Sequence, residues 1–134
     1  MWLFAGNRRR EPTYSYLCNC KACQRRTGTF VHAGAYFLKE QVRIEGPSKV
    51  YTRVADTGFG VHFHFCPDCG TSVYWISDKR PEHLGVAVGC FADPTFLPPT
   101  RSVWEESKLP WLGLPPGMIH QELGTNPDGT PMTR

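Results

Sequence analysis

A chain of 134 residues, 40% hydrophobic and 20% charged, has an ordinary globular balance and is long enough to bury about two-thirds of its unfolded surface in one core. A net charge of +3 argues against a nucleic-acid binder with a concentrated basic face, so nucleic acid is not an expected partner. No stretch approaches the ~20 apolar residues of a membrane helix, so no membrane partner is expected either. Met1-Trp2-Leu3-Phe4-Ala5 is too short for a signal-peptide core, and positive charges follow it rather than precede it. The expected compartment is therefore a reducing cytoplasm, where clustered cysteines read as metal ligands or catalytic groups before disulfides.

In chain order, residues 1–17 show no clear amphipathic period and form an N-terminal segment. Residues 18–28, CNCKACQRRTG, make a compact cysteine-rich knuckle that ends at Gly28. Phe30 to Leu38 and Val42 to Ile44 are rich in β-branched and aromatic residues and predict strands, with Gly46-Pro47 as the following turn. Lys49 to Val54 predicts a partner strand closed by an Asp56-Thr57-Gly58 turn.

Val61-His62-Phe63-His64-Phe65 alternates apolar residues with histidines, which predicts a strand with one buried face. Thr71 to Ile76 and His83 to Val88 predict further strands, and Val103-Trp104 at most a short one. With 12 prolines and 13 glycines the chain is cut into pieces too short for long helices. The expectation is a mainly β fold in a single antiparallel domain over residues 18–123. Residues 124–134, GTNPDGTPMTR, have little to bury and are expected to be a disordered tail.

Cys66-Pro67-Asp68-Cys69-Gly70 has the outline of a zinc knuckle: two thiolates at this spacing grip one tetrahedral ion, and the glycine lets the backbone turn toward sulfur. Two buried free cysteines and a redox dithiol are the competing readings. Cys18, Cys20 and Cys23 form a denser group. Three protein ligands leave the fourth position of zinc open, which separates a catalytic site from a structural one. The alternative is a closed site shared with Cys66 and Cys69. Residues 24–65 separate the clusters, a longer gap than the ~15–20 residues of a compact zinc ribbon.

These motifs, CNCKACQRRTG, HFCPDCGTSVYW, GCFADP and WEESKLPWL, resemble in that order the glutathione-dependent formaldehyde-activating enzyme family, which includes centromere protein V-like proteins. The resemblance implies a fold of the Mss4-like type with zinc knuckles. It implies a catalytic Zn²⁺ on Cys18, Cys20 and Cys23, and half of a structural zinc site on Cys66 and Cys69. It also implies glutathione or another small thiol and a small aldehyde as partners. The implied activity is that of a carbon–sulfur lyase, in which a zinc-bound glutathione thiolate adds to formaldehyde and gives S-hydroxymethylglutathione. A zinc-stabilised module that binds a thiol or a protein without turnover is the alternative.

In the family a C-x-C-G motif upstream completes the structural site, whereas residues 1–17 contain no cysteine. The expectation is that the natural start lies further upstream; otherwise His62, His64 and Cys90 are the substitute donors, or the second zinc has been lost. Lys21, Arg25 and Arg26 offset the charge of three thiolates or attract the carboxylates of glutathione, unless they are simply a solvated basic face. His32 is a weak candidate, and Trp75, Trp104 and Trp111 read as core or pocket wall.

Overall fold

Short β-prone runs punctuated by proline and glycine fold as strands wherever one face finds something to bury. The computed structural model describes residues 2–5 and 11–134. Its elements are β1 (Trp2–Ala5), β2 (Tyr14–Cys18), α1 (Lys21–Thr27), β3 (His32–Leu38), β4 (Val42–Glu45), β5 (Lys49–Val54), β6 (Gly60–Phe65), β7 (Ser72–Ser77), β8 (His83–Ala87), β9 (Arg101–Val103) and β10 (Ile119–His120). Single 3-10 turns lie at Lys39–Gln41, Val88–Phe91 and Glu105–Ser107. No helix among the described residues is long and apolar enough to cross a membrane.

The chain divides into two compact units. The first takes the described residues up to Tyr14 together with Ala35–Phe96. Its strands run in the order β3-β8-β7-β6-β5, and β1 pairs with β4 from Trp2↔Glu45 to Ala5↔Val42. The pairs β1–β4, β5–β6, β6–β7 and β7–β8 are all antiparallel, as expected. Its core is Ala35, Phe37, Val73, Tyr74, Leu84 and Val86, with Ile44, Phe91 and Phe96 packed against it. Trp75 is buried and donates from Nε1 to the Tyr36 hydroxyl at 3.1 Å, which satisfies the one polar atom of the indole.

The second unit takes Ser15–Gly34 and Leu97–Arg134. Here β2 and β10 both pair with β9, and both pairings are parallel, with Cys18 opposite Val103 and His120 opposite Ser102. Alternation within a strand does not report the direction of its neighbour, so the antiparallel expectation misses these two pairs. Strands β1 and β2 also fall in the segment where no period was expected. Four or five residues are too few to reveal one.

Residues 124–134, expected as a tail, carry local pairing of their own. Thr125 bridges Pro131, the Asn126 amide donates to the Thr130 carbonyl at 2.8 Å, and the Met132 amide donates to that of Gly124 at 2.9 Å. Asp128 accepts from both the amide and the hydroxyl of Thr130, and Gly129 adopts φ +88, so local turn chemistry shapes a segment that lacks apolar bulk.

Candidate metal centre

The three-thiol group is assembled by a strand end and one short helix. Cys18 is the last residue of β2, and Cys20 is the N-cap of α1. Cys20 has extended dihedrals (φ −63, ψ 146), and its Sγ accepts from the Cys23 amide at 3.3 Å, so a cysteine fills the role usually taken by serine or aspartate. Lys21, Ala22, Gln24, Arg25 and Arg26 favour helix, and the two arginines fall in the last turn, where cations complement the helix dipole. Gly28 ends the helix at φ 71, its amide donating to the Gln24 carbonyl. Where the sequence suggests only a knuckle, the structure has a helix of 7 residues.

One ligand atom from each of Cys18, Cys20 and Cys23 lies within 4.8 Å of the others, and this is the only such three-donor group among the described residues. Sulfurs sharing a tetrahedral zinc at ~2.3 Å bonds stand about 3.8 Å apart, so a small contraction brings these thiols to ligand spacing. Cys18 is buried and Cys20 and Cys23 half-buried. Hydrogen bonds from Cys20 and Cys23, then burial, push the Cys18 thiol well up. For Cys23 the bond with Cys18 is the largest influence and lowers its pKa, but Cys20 and burial outweigh it and push the thiol up to about 11. Three thiols this close resist ionising together unless a cation is present, and that is the behaviour of a soft-metal donor set. The residues fit a metal ion such as zinc.

Buried polar contacts fix this group. Asn19, between the first two cysteines, is fully buried and donates from Nδ2 to the Ser102 hydroxyl and the Val103 carbonyl, both at 2.9 Å. Gln24 Nε2 donates to the Asn19 carbonyl at 2.7 Å and to the Ser107 carbonyl at 3.1 Å. The segments CNCKACQRRTG and WEESKLPWL, far apart in sequence, thus meet beside the three-thiol group. Asn19 and Gln24, which brace the three-thiol group, are residues the sequence reading missed. Their polarity inside a cysteine-rich stretch was the available signal, because a buried amide needs partners.

Of the cations on α1, Lys21 and Arg25 are exposed while Arg26 is half-buried. His32 is 6% exposed, and burial, then the charge of Arg26, lowers its pKa to about 4, so it is neutral at physiological pH.

Cys66 and Cys69 belong to the first unit. The Cys66 amide donates to the Thr71 carbonyl and the Gly70 amide to that of Cys66, both at 2.9 Å, which gives the tight turn expected of a knuckle. The Thr71 hydroxyl lies 3.2 Å from Cys69 Sγ. No third donor joins the pair at ligand spacing among the described residues. The substitute donors have other partners. His62 lies between Thr52 (3.0 Å) and Asp78 (2.9 Å), and His64 lies against Ser48 (3.0 Å) and stacks on Tyr74 at 4.3 Å. Cys90 Sγ faces the Ser72 carbonyl at 3.9 Å.

The family model described as glutathione-dependent formaldehyde-activating enzyme matches residues 5–107, a span that contains all three cysteines of the centre. Among curated proteins, none matches the chain.

Proposed function

The chain belongs to the glutathione-dependent formaldehyde-activating enzyme family, whose fold is Mss4-like, and from that premise we propose that it is a zinc-dependent carbon–sulfur lyase. It would join glutathione, or another small thiol, to formaldehyde or a related small aldehyde. The product with formaldehyde is S-hydroxymethylglutathione. In this addition the carbon–sulfur bond forms as the carbonyl π bond opens, and the proton lost from the thiol is matched by one gained at the new hydroxyl oxygen.

The observation that carries the reading is the donor set: three mutually close thiols, Cys18, Cys20 and Cys23, leave a tetrahedral ion one position short. Zinc bound there would favour the deprotonated, nucleophilic form of a substrate thiol. Cys18, Cys20 and Cys23 would hold the ion, while Asn19 and Gln24 hold the backbone that presents them. His32, neutral and buried beside the helix, adds no charge of its own. Holding thiol and aldehyde together supplies rate by proximity. The thiols stay competent as ligands in a reducing compartment, which agrees with the cytoplasm.

The test is zinc-loaded protein with ¹³C-formaldehyde and glutathione, followed by exchange NMR against the uncatalysed reaction. X-ray absorption should show about three protein sulfurs and a fourth scatterer that changes when thiol is added. Thiol binding without acceleration would leave the zinc-stabilised binding module. A site that ignores thiol altogether would end the lyase reading.

A further inference from the structure

Three cations lie on α1, but they are not equivalent. Lys21 and Arg25 are exposed, whereas Arg26 is half-buried with its Nη1 out of solvent. Arg26 follows Cys23 by three positions, so the two side chains share one side of the helix. Its charge acts on Cys23 and also on His32, two side chains from different elements of the second unit. Partial burial on the side of the helix that carries Cys23 sets Arg26 apart from the two exposed cations.

We propose that Arg26 is a positioning residue of the metal centre, the one cation of α1 whose charge allows three thiolates to be assembled around a metal ion. This rests on reading Cys18, Cys20 and Cys23 as a metal centre. The charge balance gives the reason. Three thiolates around a dication leave a net negative charge, and a fourth, from the substrate, adds another. These charges lie where burial makes uncompensated charge costly. Arginine suits the role because its charge is permanent and weakly hydrated. His32 cannot supply it, being neutral. Lys21 and Arg25 sit in solvent, where screening weakens their reach.

The test compares zinc affinity, by competition with a chromophoric chelator, for the wild type, Arg26→Gln, Arg26→Lys and the double variant Lys21→Gln/Arg25→Gln. Removing one partly buried charge near the ligands should weaken zinc binding about tenfold in Arg26→Gln. Arg26→Lys should recover most of the loss, and the double variant should match the wild type. Calorimetry on the zinc-loaded proteins should show that Arg26→Gln weakens glutathione and uncharged 2-mercaptoethanol by a similar factor. Loss of glutathione binding alone would make Arg26 a carboxylate anchor and overturn the proposal. So would unchanged zinc affinity in Arg26→Gln, or an equal loss in the double variant. If Arg26→Gln fails to fold, Arg26→Met is compared with Arg26→Lys, and equal zinc affinities in those two overturn the proposal. Zinc affinity is read without turnover, so a wild type that makes no S-hydroxymethylglutathione would sink the lyase reading and leave this test standing.

Discussion

The side-chain amide of Gln24 donates to the backbone carbonyl of Asn19 at 2.7 Å and ties the first turn of α1 to the residue between Cys18 and Cys20. The same nitrogen reaches the Ser107 carbonyl at 3.1 Å, so one side chain braces the cysteine segment against a loop distant in sequence. Gln24→Ala would strand two part-buried acceptors at a cost of about 1–2 kcal/mol. The expected outcome is a modest fall in melting temperature and a fall in zinc affinity of about tenfold, as when residues that orient metal ligands are lost. Chelator competition and thermal unfolding of the same samples check both. An unchanged zinc affinity would reduce Gln24 to a surface brace.

Cys20→Ser separates the two roles of Cys20. A serine hydroxyl caps a helix at least as well as a thiol, so α1 should still start at Lys21 and zinc-free stability should change by less than about 1 kcal/mol. Zinc binding and thiol-dependent activity should be lost, because a neutral hydroxyl does not replace a thiolate ligand. Circular dichroism together with metal analysis reads this directly. A variant that unfolds would show that the centre is structural.

His32 gives the second unit a pH dependence. Its pKa in the folded protein is about 4 against 6.5 for an ordinary histidine, chiefly through burial. As pH falls, the unfolded chain takes up the proton first. The contribution is therefore complete above pH 6.5 and is lost as pH drops toward 4, for a total of about 3 kcal/mol. Urea unfolding of zinc-free, reduced protein across this range should show the loss, and His32→Gln should flatten it. Equal slopes for both proteins would assign the acid sensitivity to other groups.

Some of this was legible in the sequence for a physical reason. The Val61–Phe65 alternation gives β6, and the Asp56-Thr57-Gly58 turn lies between β5 and β6, because period and turn chemistry are local properties. The three-thiol group was legible because its donors are close in sequence. What escaped depends on distant partners. The parallel pairing of β9 rests on register with β2 and β10, and the bracing of Asn19 rests on Ser102 and Val103. The distinction among Lys21, Arg25 and Arg26 likewise needed the burial of each side chain, since all three occupy one short helix.

Gly85 faces Trp75 across the β7–β8 pair. A Cβ at Gly85 would overlap the indole at Nε1 and Cε2. The indole cannot swing away freely, because it is buried and donates to the Tyr36 hydroxyl. Gly85→Ala should therefore destabilise the first unit by about 2–4 kcal/mol, an overpacking cost, and leave the zinc affinity of the second unit within about twofold. Denaturant unfolding and chelator competition measure the two effects. A neutral substitution would mean that the indole has room to move.

Cys69 and Cys18 mark opposite ends of thiol reactivity in the chain. Cys69 is exposed, and its pKa is lowered by hydrogen bonding with the Thr71 hydroxyl, then with the Thr71 backbone and the Cys66 thiol. Cys18 is buried, and its pKa is raised by its thiol neighbours and by burial. A lowered pKa enlarges the thiolate fraction at a given pH, and the thiolate is the reactive form. Iodoacetamide on zinc-free protein near pH 7.5 should therefore modify Cys69 first and Cys18 last, as peptide mass spectrometry would show. Equal rates at the two sites would contradict this ordering. Zinc should then protect Cys18, Cys20 and Cys23 as ligands. For Cys69 the outcome turns on the number of donors, since two thiolates alone seldom hold structural zinc. Continued alkylation of Cys69 in the presence of zinc is expected for a pair with no further ligands. Protection of Cys69 would mean that Cys66 and Cys69 recruit other donors, and the metal content should then approach two ions per chain.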